Sequence, residues 1–113
     1  MPKPQQSNVS SAITAIRCAQ NLLKQQINES SDTMTIIKLT NESNNLDSCL
    51  SLLLHAQNVA DDVIFANAVA TLKSQTSGLQ AEELTIKSII ADVKTAEMVM
   101  GYITQALGFI AKL

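Results

Sequence analysis

The feature that most constrains this chain is a row of apolar residues at alternating spacings of three and four, running from residue 65 to residue 110. Twelve of its fourteen positions are apolar, and only Gln75 and Glu82 interrupt it. A seven-residue repeat of this length is typical of helices that pack together as in a coiled coil. We predict that nine of these residues form a heptad core: Leu72, Leu79, Ile86, Ile89, Val93, Met100, Ile103, Leu107 and Ile110.

Little in the rest of the chain would interrupt a helix. Among 113 residues there are two prolines, both within the first four positions, and three glycines, while aromatic residues make up 3%. This composition favours helices over strands. We therefore predict an all-α fold of three or four antiparallel helices in a coiled-coil-like bundle. Residues 1–7 are predicted to be a flexible lead and residues 8–113 a single helical domain.

Two further helices are predicted before the long repeat. The first covers about residues 8–28, and its apolar stripe consists of Val9, Ala12, Ile16, Ala19 and Leu23. Polar residues at 28–32 predict a turn. A second stripe follows at the same spacings: Ile36, Leu39, Ser43, Leu46, Leu50, Leu53, Gln57, Ala60 and Ile64. The β-branched run at 33–40 is also compatible with a strand, and the polar run at 40–45 with a break in the helix.

A shift of register predicts where the second helix ends. The second stripe has its last position at residue 64, whereas the long repeat begins one residue later at Phe65, so we predict a turn at about 57–62 with Asp61 or Asp62 as the N-cap. The repeat then passes through Gly78 unshifted, which favours one long, kinked C-terminal helix of roughly 75 Å. A capping box at residues 77–80 favours instead a break at 76–78 and a compact four-helix bundle.

The segment from residue 98 onward is apolar on two faces. Beside the heptad stripe lies a second stripe, which we predict to be an interface: Met98, Val99, Tyr102, Ala106, Phe109 and Leu113. Such a helix lies at the centre of a bundle, meets a partner or inserts into a membrane, and the pattern alone leaves the three open. Gly101 and Gly108 lie seven residues apart on one side, where they would let another backbone approach closely.

No residue pattern predicts a catalytic or metal site. His55 is the only histidine and falls opposite the apolar stripe of its helix. In an antiparallel hairpin Cys18 and Cys49 would lie roughly 10 Å apart along the axis, too far for a disulfide. The acidic pairs at 61–62 and 82–83 occupy adjacent helical positions, so neither pair converges on one ion. We predict a protein that is not an enzyme and binds no cofactor or metal.

Charge and composition narrow the partners that we expect. The eight basic residues are scattered from Lys3 to Lys112, whereas nucleic-acid binding needs a concentrated basic face. The N-terminal residues lack the apolar segment of a signal peptide, which predicts a cytoplasmic location, with signal-independent secretion as the alternative. We expect a homo-oligomer or a helical protein partner that docks through the C-terminal helix. The alternative function is a secreted or injected membrane-active protein, such as a pore former.

Overall fold

The chain is helical throughout its described part. The computed structural model describes residues 3–59, 61–90 and 92–113, without the side chains at 3, 4, 76 and 82. In these ranges it contains five helices and no strand, which confirms the predicted all-α fold: α1 (Lys3–Glu29), α2 (Thr33–Asn58), α3 (Asp62–Ser74), α4 (Thr76–Ile89) and α5 (Val93–Ala111).

Helix α1 buries the stripe that the sequence predicts. All five of its predicted positions are shielded from solvent, and Ile13 and Ala15 widen the buried face. The start of the helix differs from the prediction, because α1 begins at Lys3 rather than near Asn8. Residues 3–7 therefore form the first turns of α1, and only residues 1 and 2 of the predicted lead lie outside the described part. The first turn of a helix accommodates proline, since its N–H groups have no acceptor within the helix.

Helix α2 is continuous through both of its ambiguous segments. The β-branched run at 33–40 is helical, and the polar run at 40–45 does not interrupt the helix. Asp32 is the N-cap, and the Thr35 hydroxyl donates a hydrogen bond of 2.7 Å to its carboxylate. This bond is the main reason that the pKa of Asp32 lies below its usual value. The cap and the burial of Leu39 favour helix here over the β preference of the sequence.

The polar turn before α3 is formed as predicted. Asp61 is the N-cap, and its carboxylate accepts hydrogen bonds from the backbone N–H groups of Val63 and Ile64 at 2.9 and 3.0 Å. A single residue, Gln75, separates α3 from α4, next to the predicted break at 76–78. Leu72 and Leu79 are buried on either side of this junction, so the seven-residue spacing continues across it.

The predicted long C-terminal helix is wrong. Helix α4 ends at Ile89, Ile90 is extended with φ −83° and ψ 115°, and α5 begins at Val93. Asp92 caps α5 by accepting hydrogen bonds from the Lys94 N–H and, at 2.6 Å, from the Thr95 hydroxyl. The longest dimension of the molecule is 46 Å, well short of the roughly 75 Å that an unbroken helix from 62 to 112 would need.

The helices share one apolar core. Helix α1 packs mainly against α5 and α2, while α4 packs against α5 and α2, and α3 lies chiefly on α2. Polar contacts fix which ends meet. The Gln20 side-chain amide donates to Asp47 and to the backbone carbonyl of Ser43, joining the middle of α1 to α2. The Gln5 amide donates to the carbonyl of Leu113, which brings the start of α1 to the end of α5.

The buried row of α2 differs from the predicted stripe at every second position. Leu39, Leu46 and Leu53 are buried as predicted, but the residues between them are Glu42, Cys49 and Ala56 in place of Ser43, Leu50 and Gln57. The buried face of α2 is thus turned about the helix axis from the predicted face, by less than the angle between adjacent residues. As a consequence a glutamate occupies a core position.

The predicted heptad core divides into three groups. Five of its nine residues are buried, namely Leu72, Leu79, Ile86, Ile103 and Ile110, and three are half-buried, namely Ile89, Met100 and Leu107. Val93 is 69% exposed, so its predicted core position is wrong. That prediction assumed an unbroken helix, whereas α4 ends at Ile89 and Val93 is the first residue of α5.

Candidate interaction surface

Helix α5 has an inner and an outer face, and the predicted interface residues divide between them. The inner face is fully shielded and consists of Ala96, Val99, Ile103, Ala106 and Ile110. Val99 and Ala106 were predicted as interface residues, and this is wrong because both pack inside the chain's own core. The residues of this face keep the alternating spacing of three and four that the heptad pattern predicts. Their register differs from the predicted one, because Val99 and Ala106 occupy it.

The outer face carries the other predicted interface residues. Met98 is 44% exposed, while Tyr102, Phe109 and Leu113 are half-buried. Met98, Tyr102, Gln105 and Phe109 follow each other at spacings of four, three and four, which places them in one row along the helix. Two of the three aromatic residues of the chain therefore lie together on a surface that water still reaches.

Tyr102, Gln105 and Phe109 of this row form one wall of a surface groove between α5 and α1, which we call the α1/α5 groove. The groove has a volume of about 360 Å³ and is lined by Ser7, Ser10, Ser11, Thr14, Ala15, Cys18, Tyr102, Gln105 and Phe109. All nine residues are uncharged. The α1 wall consists of small side chains, whereas the α5 wall carries the two aromatic rings, so the groove offers apolar contact area without a charge that a partner must neutralise.

Two glycines border the row on the exposed side of α5. A Cβ atom built on Gly101 or on Gly108 meets no other atom of the chain within 4 Å. Among the described residues, no backbone approaches these two glycines closely, so the predicted close approach at Gly101 and Gly108 is not made there.

Charge enters this surface at its C-terminal end. The ammonium group of Lys112 lies 5.3 Å from the centroid of the Phe109 ring, within the range of a cation–π contact. On the α4 side of α5, the Thr104 hydroxyl donates a hydrogen bond of 3.1 Å to the Glu83 carboxylate. In the row of Met98, Tyr102, Gln105 and Phe109, the Tyr102 phenol is the only ionisable group.

The chain matches no protein-family model, no curated protein and no solved structure. The surface is therefore interpreted from its own geometry. Within the described ranges, none of the helices is both long enough and apolar enough to cross a bilayer. The same part of the chain contains no cluster of three or more histidine, cysteine or acidic side chains suited to a metal ion.

The residues that the sequence analysis tested for chemistry lie apart in the structure. His55 is exposed on α2, and Cys18 and Cys49 are not disulfide-bonded to each other. The acidic pair at 61–62 begins α3, where Asp61 acts as the cap. Glu42 is buried in α2, although the apolar stripe predicted for this helix does not include it. Its one sequence signal is a spacing of three after Leu39.

We expect Cys18 and Cys49 to react with a thiol reagent at very different rates. Cys18 is half-exposed on the groove, whereas Cys49 is buried in α2. Only thiols that the reagent can reach form the adduct, so the native protein should be labelled once, at Cys18, within the time in which unfolded protein is labelled twice. Mass spectrometry of labelled wild type and of Cys18→Ser measures this. Equal labelling of both thiols in the native protein contradicts the burial of Cys49.

Proposed function

We propose that this chain is a non-enzymatic helical protein that self-associates through the α1/α5 groove, with its helices packed as an antiparallel coiled-coil-like bundle. The observation that carries the proposal is the uncharged row on α5, with Tyr102 and Phe109 half-exposed beside the small residues of α1. Half-exposed aromatic rings on a surface depleted of charge are typical of the central part of protein interfaces.

A second copy of the chain is the occupant that fits the charge pattern best. In a two-fold dimer each surface meets a second copy of itself, so a charge near the two-fold axis would face the same charge on the partner. The nine lining residues avoid this conflict because none is charged. The whole chain is also sparing in charge, with 16% charged residues and a net charge of −2, so long-range repulsion between copies is weak.

The shape of the groove favours a helical surface as the contact. Ser7, Ser11, Ala15 and Cys18 follow each other at spacings of four, four and three, so small side chains form a shallow channel along α1. Larger side chains at helical spacing on a partner fill such a channel, as ridges fill grooves between packed helices. The row of Met98, Tyr102 and Phe109 on a second copy supplies side chains of this kind.

Phe109→Asp tests the proposal. We expect the wild-type chain to be a dimer by light scattering coupled to size exclusion, and the Phe109→Asp variant to be a folded, helical monomer. A carboxylate placed in this contact either loses water without a partner or faces its own copy across the two-fold axis. The matched control is Leu84→Asp, which makes the same change on α4 at a side chain that is 73% exposed and outside the groove. The control should remain a dimer.

Two outcomes contradict the proposal. A wild-type chain that stays monomeric at a concentration of about 100 μM has at most the weak affinity of a transient contact. Equal loss of the dimer in Phe109→Asp and Leu84→Asp places the contact elsewhere. The alternative function, membrane binding through the groove, is tested by leakage of dye from anionic vesicles. It is supported if wild type and Leu84→Asp cause leakage and Phe109→Asp does not.

A further inference from the structure

A carboxylate lies in the buried row of α2. This row runs through Leu39, Glu42, Leu46, Cys49, Leu53 and Ala56 at alternating spacings of three and four. Glu42 thus occupies a position where the heptad pattern requires an apolar side chain, with only 7% of its surface exposed. A polar or charged group at such a position costs stability unless other groups satisfy it.

One of the two carboxylate oxygens of Glu42 is not satisfied. Its Oε2 atom is inaccessible to water and accepts no hydrogen bond. The other buried polar side chain among the described residues is Gln20, on the facing surface of α1. Its amide nitrogen donates to the carbonyl of Ser43, at 3.2 Å, and to the carboxylate of Asp47. An amide nitrogen has two hydrogen atoms, so Gln20 has no donor left for Glu42.

No described charge compensates the carboxylate either. The helices that pack against α2 are α1, α3 and α4. The described charged side chains of these helices and of α2 itself are Arg17, Lys24 and Glu29 on α1, Lys38 and Asp47 on α2, Asp62 and Lys73 on α3, and Glu83 and Lys87 on α4. Burial alone raises the pKa of Glu42, with no contribution from these groups. The Glu82 side chain lies outside the described part.

We propose that Glu42 is an acid-responsive element of the fold: the ionised carboxylate opposes the packing of α2 against its neighbours, and protonation removes this opposition. A protonated carboxyl group loses its charge and gains a hydrogen-bond donor, so the cost of burying it falls. The folded state therefore gains stability on mild acidification, whereas proteins held together by paired carboxylates lose it.

The direction follows from proton binding. The pKa of Glu42 in the folded chain lies above its ordinary value of 4.5, so the folded state binds this proton more tightly than the unfolded state. Stability then rises as the pH falls from neutral through the raised pKa towards 4.5. Asp32 and Asp92 act in the opposite sense, because their pKa values are lowered from 3.8 by the hydroxyl groups of Thr35 and Thr95. The stability that the ionised carboxylates of Asp32 and Asp92 contribute is lost only at a pH below the range in which Glu42 titrates.

Urea unfolding of wild type and Glu42→Gln at neutral pH and at pH 4.5, the ordinary value for glutamate, tests the proposal. Glutamine reproduces the neutral carboxyl group in size and charge. At neutral pH we expect the folded-to-unfolded ratio of Glu42→Gln to exceed that of wild type about fivefold or more, which is the order expected for relieving one unsatisfied buried group. At pH 4.5 the two ratios should converge. The matched control is Glu97→Gln, at an exposed carboxylate of α5, which should follow wild type at both values.

A direct titration keeps the test decisive if Glu42→Gln folds poorly. The carboxyl carbon resonances of the wild-type protein, followed by NMR, should show Glu42 titrating above 4.5, the ordinary value for glutamate. The proposal is overturned if Glu42 titrates at or below 4.5, or if wild type and Glu42→Gln share one dependence of stability on pH.

Discussion

Ile103→Ala is expected to lower the free energy of unfolding by about 2–5 kcal/mol, the largest effect among the substitutions considered for this chain. Ile103 is completely buried at the middle of α5, and α5 packs against α1, α3 and α4. Truncation removes three carbon atoms from contact with these helices and leaves a cavity, since helix backbones relax only in part. Chemical denaturation followed by circular dichroism measures the loss.

Ile37→Ala provides the matched control for this prediction. It removes the same atoms from a helix, but the Ile37 side chain is 47% exposed near the start of α2. We expect a loss below about 1 kcal/mol, because fewer contacts disappear and water already reaches the site. Equal losses for Ile103→Ala and Ile37→Ala would contradict the assignment of Ile103 to the core.

The parts of the fold that the sequence predicts correctly are those where local signals agree with each other. In α1 the apolar spacing allows only one face, and all of Val9, Ile16 and Leu23 lie inside. The turn before α3 combines a register shift with Asp61, whose carboxylate satisfies two N–H groups that a helix start leaves without acceptors. Pattern and capping chemistry indicate the same boundary there, so one sequence suffices to find it.

The sequence fails where two adjacent residues compete for the same core position. In α5 the prediction selects the larger side chains, Met100 and Leu107, whereas the fold buries Val99 and Ala106. Closely packed helices leave least space at the centre of their contact, so the smaller neighbour enters and the larger one lies at the edge. Hydrophobicity ranks the larger side chain first and therefore predicts the wrong one. This choice depends on the neighbouring helices, which a single periodic pattern does not contain.

The same limitation hid the boundary between α4 and α5. The seven-residue spacing continues from Ile86 through the boundary, so periodicity alone predicts a continuous helix. The contrary signal is Asp92 followed three residues later by Thr95, the arrangement that also begins α2 at Asp32. An aspartate cap held by a threonine hydroxyl is a start signal that acts independently of the apolar pattern. A repeat that continues unshifted across a boundary therefore does not require an unbroken helix.

The glycines of α5 lead to the second prediction with a large expected effect. We expect the double variant Gly101→Ala, Gly108→Ala to raise the free energy of unfolding by about 1–2 kcal/mol, since alanine favours a helix interior over glycine by about 0.5–1 kcal/mol at each position. The new methyl groups meet nothing within 4 Å in this chain, so no clash offsets the gain. If the proposed dimer brings a partner helix against this side of α5, the same methyl groups hold it away and weaken the association.

Urea unfolding and light scattering on the same samples separate these two effects. The control is Gly78→Ala on α4, which also has open space around the added methyl group and lies away from the α1/α5 groove. This control should stabilise the fold, by less because Gly78 lies in the first turn of its helix, and should leave the dimer unchanged. A double variant less stable than wild type contradicts the open surroundings of both glycines. A more stable variant with undiminished association places Gly101 and Gly108 outside the contact and confines it to Met98, Tyr102 and Phe109.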